Sequence, residues 1–225
     1  MFQGFSEETI DFMWGIRFNN EKVWFEAHKE QYLRTLYEPM KALSRQVYGE
    51  VTQEHDDLDL VARVSRIYRD ARRLHGRGPY KDHLWCSMEQ PADQWTAQPT
   101  FWFELAAEGY TCGLGYYMPK ALTMAKFRAR LDHNPKSFEK LARDIGRQET
   151  FILEGEDYKK PKGESSALLA PWYNKKTFSL VGKGPVSETF DPEFAHKLVE
   201  GYKSLMPLYR YLVTLDGDRD PREQV

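Results

Sequence analysis

The sequence predicts an α+β fold, an antiparallel sheet of about four to six strands packed against N-terminal and C-terminal helices. Three observations lead there. Near both ends of the chain apolar residues recur at three- and four-residue steps, the period of a helix. The middle is rich in β-branched and aromatic residues interrupted by turn dipeptides, the texture of strands. The order is helices, then strands, then helices with one or two late strands, which favours an antiparallel sheet.

The 225 residues read as a single α+β domain: helical over 1–57, sheet over 58–118, helical over 119–148, mixed over 149–190 and helical over 191–215. No internal repeat, low-complexity tract or linker divides it. Ser6 followed by Glu7 and Glu8 marks a helix start, with acids at the positive end of the dipole. That helix carries Ile10, Phe12 and Met13 and is expected to stop near Gly15. Asn19 and Asn20 offer an N-cap to a longer helix whose stripe is Phe25, Leu33, Leu36, Met40, Leu43 and Val47, with a kink or restart at Pro39. "EHDDLD" is a polar loop.

From Leu58, "LDLVARVSRIY" reads as a strand, followed by "HLWCSMEQ" and "TFWFELA". Glu108-Gly109 turns the last into "YTCGLGYYM", a hairpin. "PKALTMAKFRARLDH" returns to helical spacing through Leu122, Ala125, Phe127 and Leu131. Asn134-Pro135 opens a second helix to about Arg147. "LEGEDYKKPKGESS" is a polar loop, and "LAPWYNKKTFSLVGKG" a short segment and a strand. Asp191-Pro192-Glu193 starts a terminal helix with the stripe Phe194, Leu198, Tyr202, Leu205, Tyr209 and Leu212, and a break or kink at Pro207. The tail "DGDRDPREQV" reads as frayed.

Apolar residues at 41% and charged ones at 29% are ordinary for a globular protein, while 14% aromatics is high. Cys86 and Cys112 form no disulfide framework. The N-terminus lacks a basic segment followed by an apolar run, and no stretch approaches the roughly 18–20 apolar residues of a membrane span. These features predict a cytoplasmic protein with reduced thiols. A net charge of −2 argues against a dedicated nucleic-acid binder.

Against that background one segment stands out. Between Arg63 and Lys81, nineteen residues carry seven Lys/Arg and one acid, Asp70. If 60–69 is a strand, arginines lie on both of its faces, and an arginine on a buried face needs a partner. Guanidinium forks hold phosphate or carboxylate in bidentate fashion. A bound anion, internal ion pairs with Asp70 or Glu104, and a solvated basic edge strand are the three readings of this block.

Other chemistries find no motif. "GRGPYK" is not a P-loop, and "CGLGYYMP" has Met118 where a dinucleotide fingerprint requires glycine. The six histidines make no zinc spacing, so no metal site is expected, and no cofactor is specified. "GESSA" is not a nucleophile elbow. The cysteines read as packed small hydrophobes. Asp70, wedged between arginines, is the candidate base or arginine orienter, and His83 a candidate general acid/base beside an anion. Glu104 alternates with Phe103 and Leu105 and reads as an outward strand residue. Trp24, Tyr68, Tyr80 and Trp85 near the basic block raise single-stranded nucleic acid as a partner, but core aromatics are the commoner explanation.

Several stretches together resemble a bacterial and fungal family defined as a conserved domain of unknown function. Its pattern is N-N-x-x-x-W-F, here Asn19 to Phe25; a Tyr-containing helix with proline, here "QYLRTLYEPM"; R-I-x-R-D-x-R, here Arg66, Ile67, Arg69, Asp70 and Arg72; and P-Y-K, here Pro79, Tyr80 and Lys81. A glycine-rich strand leading to proline and an arginine-bearing helix is similar to "CGLGYYMPKALTMAKFR", ending at Arg128, and "YKKPKG" from Tyr158 to a later family element. The resemblance spans roughly residues 5 to 213 and adds Asn20 and Arg128 to the ligand-binding candidates. Family members usually read R-F-x-x-D-K before the proline. Here Arg73 stands for the aromatic and Gly76 for the acid, with His75 the candidate replacement.

The combined expectation is a basic cleft for a small anionic ligand, phosphate or carboxylate, in a binder or an enzyme. Arg66, Arg69, Arg72 and Lys81 would hold the anion, Tyr80 and Trp24 would wall the cleft, and Asp70 and His83 would carry any chemistry. The alternative is a non-catalytic nucleic-acid or protein binding module with an architectural arginine block.

Overall fold

A computed structural model gives the architecture; it describes residues 1–74 and 76–223, with Arg73 described by its backbone alone. Helix α1, Glu7–Phe18, starts as expected: the Ser6 backbone N–H donates to Thr9 Oγ1 at 3.1 Å. It runs past Gly15 because that glycine serves packing and not termination. A Cβ there would lie 2.6 Å from the Trp24 ring, so only glycine lets the indole approach the helix.

The two asparagines do not cap the next helix. Asn19 closes α1 by donating its side-chain amide to the Gly15 carbonyl at 3.0 Å, and Glu21 precedes α2, Lys22–Ala27. The expected longer helix is then divided into α3, Lys29–Gln31, a π-helical turn over Tyr32–Tyr37, and α4, Glu38–Glu54. Pro39 lies in the first turn of α4, where its missing N–H costs nothing, so the expected restart is present. Phe25, Leu36, Met40, Leu43 and Val47 are buried, but Leu33 is exposed, because the π turn rotates it off the stripe.

Six strands form one antiparallel sheet in the order β1-β2-β3-β4-β6-β5: β1 Val61–Val64, β2 His83–Glu89, β3 Pro99–Ala106, β4 Gly109–Tyr116, β5 Ile152–Glu154 and β6 Ser179–Gly184. The fold class is therefore the α+β expected. The hairpin turn falls at Ala107-Glu108, one residue earlier than expected. β5, which lies inside the expected polar stretch, pairs antiparallel with β6 at the sheet edge through Leu153↔Leu180. The remaining helices are α5 Ala121–His133, α6 Lys136–Ile145, α7 Ala170–Tyr173 and α8 Phe194–Val213. α8 continues through Pro207 without ending there.

The chain forms two compact units interleaved along the sequence. The first holds Met1–Met88, Trp102–Cys112 and Lys183–Gly201; the second holds Glu89–Phe101, Gly113–Gly182 and Tyr202 onward. In the first, α4 packs on β1, and Phe103 stands between Phe5 and Phe194, with ring centroids 6.3 and 5.4 Å away. Cys86 and Cys112 are buried free thiols, and burial pushes each up to about 12. In the second, Phe127, Phe138, Trp172 and Phe178 form a ring cluster with neighbouring centroids 5.1–5.4 Å apart. Nine of the twelve largest fully buried side chains are aromatic, which accounts for the aromatic-rich composition.

The expected frayed tail is instead anchored at Asp218; Gln224 and Val225 lie outside the described residues. Arg130 in α5 binds Asp218 through Nε at 2.8 Å and Nη2 at 2.6 Å, and donates three more hydrogen bonds to Tyr211 and Thr214. This pins the 3₁₀ turn Thr214–Gly217. Charge-assisted bonds of this kind, largely screened from water, are worth more than surface pairs. Arg130→Met is expected to destabilise the protein by about 2–4 kcal/mol, measured as a lower urea midpoint at unchanged m-value, and to expose the tail to proteolysis. A loss below about 0.5 kcal/mol would show that the tail adds nothing to stability.

Candidate functional site at the start of β2

The site residues belong to the first unit and gather where the basic block enters β2. The expected strand over 60–69 is cut short at Val64. At Ser65 half of the pairing persists: its N–H donates to Trp85 O at 2.8 Å, but the Trp85 N–H is taken by the Ser65 hydroxyl at 3.1 Å and not by a backbone carbonyl, so the regular ladder loses one bond there. The chain then resumes pairing over three residues. Tyr68 and Tyr80 form an antiparallel bridge, Arg69 N–H donates to Pro79 O at 2.8 Å, and Lys81 N–H donates to Ile67 O at 2.7 Å. Ser65 and Ile67 point inward and Arg66 and Tyr68 outward, so the segment does have two faces, but only one arginine, Arg69, is turned in.

Arg69 is 15% exposed and has two protein partners: Nε donates to Tyr80 O at 2.7 Å and Nη2 lies 3.4 Å from Asp82 Oδ1. Asn20 holds the same peptide from the other side. Its Oδ1 accepts the Tyr80 N–H at 2.9 Å and its Nδ2 donates to Tyr80 O at 3.0 Å. A Cβ on Gly78 would fall 2.2 Å from Asn20 Oδ1, so glycine before Pro79 is what admits the clamp. The Tyr80 ring is buried and stacked on Phe25 at 4.3 Å.

Asp82 is the centre of the charge arrangement. It accepts Arg17 Nε at 2.6 Å and His83 Nδ1 at 3.2 Å in addition to Arg69. Burial raises its pKa, but the hydrogen bonds from Arg17, the backbone and His83 outweigh that and hold the carboxyl below its usual value. Arg17 also pairs with Glu108 in the hairpin turn and lies 4.5 Å over the Trp14 ring. A carboxylate only accepts, so the His83 Nδ1 facing Asp82 carries the proton. The other ring nitrogen, Nε2, lies 3.9 Å from Glu104 Oε2.

Lys81 differs from its neighbours. It is half-buried, with Nζ 5.6 Å over the Trp85 ring. Among the described residues its ammonium has no hydrogen-bond or ion-pair partner. Its pKa is lowered to about 8: burial disfavours the charge, Glu104 opposes this, and Arg69 and Arg66 add repulsion. Exposed Arg66 likewise has no hydrogen-bonding or ion-pairing side chain among the described residues. Further along the same face of β2, the Ser87 hydroxyl is buried without a hydrogen-bond partner.

The other candidates lie elsewhere. Asp70 caps the 3₁₀ turn Ala71–Arg73 by accepting Arg72 N–H at 3.0 Å, and it pairs with the exposed Arg72 guanidinium at 2.7 Å. Trp24 stacks on His28 at 3.9 Å. Arg128 belongs to the second unit, where its guanidinium carbon lies 5.1 Å over Tyr158. His75 lies outside the described residues. Among the described residues no group of three or more His, Cys, Asp or Glu side chains is placed to hold a metal ion, and no helix is long and apolar enough to cross a membrane.

With this geometry in place, comparison with known families is decisive for kinship. The DUF2461 family, described as a conserved hypothetical protein, matches residues 8–211. The chain belongs to that family. No curated protein matches the chain. The match runs from α1 into α8 and so includes every member of the Asp82 arrangement.

Sequence reading missed Asp82 and Arg17. The charge count along the block ends at Lys81, one residue before Asp82, which is the acid that organises it. Arg17 lies 65 residues away in sequence and has no local signal. Asp82→Ala is expected to destabilise the protein by about 2 kcal/mol at pH 7. The folded pKa is depressed, so this stabilisation is complete above the unfolded carboxylate value of about 3.9 and disappears as pH falls through the lower folded value. Denaturant titrations of wild type and variant should therefore converge below about pH 4. A constant gap across that range would exclude Asp82 as the charged hub.

Proposed function

We propose that the start of β2 binds a small oxyanion, phosphate or carboxylate, with Lys81 and Arg66 as its cations and His83 Nε2 as an acid/base group facing it. The observation that carries this reading is the Lys81 ammonium: half-buried, adjacent to two guanidinium groups, and without an acceptor among the described residues. Holding a charge in that position costs stability unless an anion joins it. The unpartnered Ser87 hydroxyl along the same face supports a polar occupant. A second reading applies to the rest of the block. Arg69 and the Asp70–Arg72 pair each have a protein partner, which supports an architectural role for them and leaves anion capture to Lys81 and Arg66.

The test is a thermal-shift panel of phosphate and carboxylate metabolites on wild type, Lys81→Met and Arg66→Ala. A true ligand at a hundredfold excess over its Kd should stabilise wild type by about 2.7 kcal/mol and should lose at least tenfold in affinity in either variant. In its absence Lys81→Met should be as stable as wild type or more so, since it removes a charge from an apolar setting. If no anion shifts wild type, or the shift survives both substitutions, the reading fails.

The pH dependence is also fixed in sign. The anion prefers the charged amine, so binding raises the Lys81 pKa and affinity is greatest below about 8. Calorimetric titrations should show affinity falling as pH rises through that value, with net proton uptake on binding near it. An affinity flat from pH 7 to 10 would remove Lys81 from the site.

A further inference from the structure

We propose a second oxyanion site in the other compact unit, formed by Arg128 and Lys162 about the Tyr158 ring and suited to a phosphoryl group. It is independent of the site at Lys81. The argument rests on a contrast between two arginines of one helix. Arg130 is saturated: five hydrogen bonds to Asp218, Tyr211 and Thr214, with its guanidinium 4.9 Å over the Tyr211 ring. Arg128, half a turn earlier, repeats the ring contact, 5.1 Å over Tyr158, and lacks the rest. Its Nη1 is buried with no hydrogen-bond partner. Among the described residues the whole fork donates to no protein acceptor.

A guanidinium keeps its proton in proteins and does not escape this situation by becoming neutral. Nη1 has neither a protein acceptor nor solvent in the empty arrangement, so the fork is short of acceptors, and an oxyanion that docks on it with a small shift of the side chain would supply them. The surroundings favour an anion. Lys162 Nζ stands 4.7 Å from the centroid of the same Tyr158 ring, so two cations share one aromatic. Lys162 also has no side-chain acceptor among the described residues. The nearby acids are already engaged: Asp157 with Lys175 at 3.1 Å, Glu156 with Lys176 at 2.9 Å, and Asp132 with the Tyr173 hydroxyl at 3.0 Å.

The loop that carries Tyr158 and Lys162 is held in place. Tyr158 N–H donates to Asn174 O at 3.0 Å, Lys162 N–H donates to Asn174 Oδ1 at 2.7 Å, and Asn174 Nδ2 donates to Gly163 O at 3.2 Å. Asn174 thus fixes both ends of "YKKPKG", and the two cations keep their ring without a ligand to gather them. A planar fork plus an ammonium matches the geometry and double charge of a phosphate monoester better than a single carboxylate.

The experiment uses the full chain carrying Lys81→Met and Arg66→Ala, so that the other proposed site is silent. Inorganic phosphate is titrated calorimetrically, with acetate and sulfate as separate arms. Phosphate should bind saturably and at least tenfold tighter than acetate. Arg128→Met in that background should abolish binding, Arg128→Lys should weaken it at least fivefold, and Lys162→Gln should weaken it severalfold. In phosphate-free buffer the melting temperature of Arg128→Met should be close to that of its parent, since no protein hydrogen bond of the fork is lost and only the ring contact with Tyr158 is given up. If phosphate does not bind, if binding survives Arg128→Met, or if Arg128→Lys binds as tightly as the parent, the proposal is overturned. A melting temperature that drops in both Arg128 variants without phosphate would mean an architectural arginine and would also overturn it. Acetate binding as tightly as phosphate would replace the phosphoryl assignment with a carboxylate one.

Discussion

The first unit depends on one carboxylate, Asp82. It is the only acid bonded at once to a helix, through Arg17, to the returning segment, through Arg69, and to the strand it precedes, through His83, among the described residues. Arg17 carries the link on to Glu108 in the hairpin turn. Remove the carboxylate and Arg69, 15% exposed, loses its ion-pair partner, while Arg17 loses its Nε bond and keeps only Glu108 in the turn. Leaving the half-buried Arg69 without its counter-charge is why breaking this network differs from deleting a surface salt bridge. The same carboxylate orients the His83 ring by accepting from Nδ1, which turns Nε2 toward Glu104.

A second constraint works through the backbone. The Tyr80 peptide is held by Asn20 at both its N–H and its C=O, and Arg69 shares that carbonyl. The Tyr80 ring is buried on Phe25. Residue 80 is thus fixed by side chain and main chain alike, and residue 81 has little freedom in where it points. Asp82 then draws the following residue toward Arg17, and Lys81 is turned the other way, over Trp85. The half-buried position of this lysine follows from the restraints on its two neighbours and needs no attraction of its own.

Much of the fold was legible. The strands β2, β3 and β4 and the helices α5 and α8 follow from period and turn chemistry, because these elements bury one face and expose the other. What misled was chemistry with two readings. Asparagine is both a helix cap and an amide clamp, and Asn20 takes the second part because Gly78 leaves room for it. Glycine in a helix reads as a stop, yet Gly15 admits Trp24. Serine in a strand reads as neutral, yet the Ser65 hydroxyl takes one bond from the ladder. β5 is only three residues long, too short for an alternating pattern to show, and is held by its pairing with β6. The location of the candidate site was legible at Lys81 and His83 and not at Asp82 or Arg17, whose roles arise from contacts distant in sequence.

The charge count that first marks the block also explains why it misdirects. Seven cations in nineteen residues look like one basic surface, but a sum of charges does not distinguish a guanidinium that has a carboxylate from one that does not. Sorted by partner, Arg69 and Arg72 are ion-paired within the fold, while Arg66 and Lys81 have no hydrogen-bonding or ion-pairing side chain among the described residues, and only the charge of Glu104 offsets Lys81. The same sorting separates Arg130 from Arg128 on a single helix. Desolvation makes the distinction physical: a paired buried cation is part of the structure, whereas an unpaired one raises the free energy of the empty protein and lowers that of the protein with an anion bound. The unmet cations, and not the basic block as a whole, are therefore where the sequence and the structure jointly direct a search for ligands.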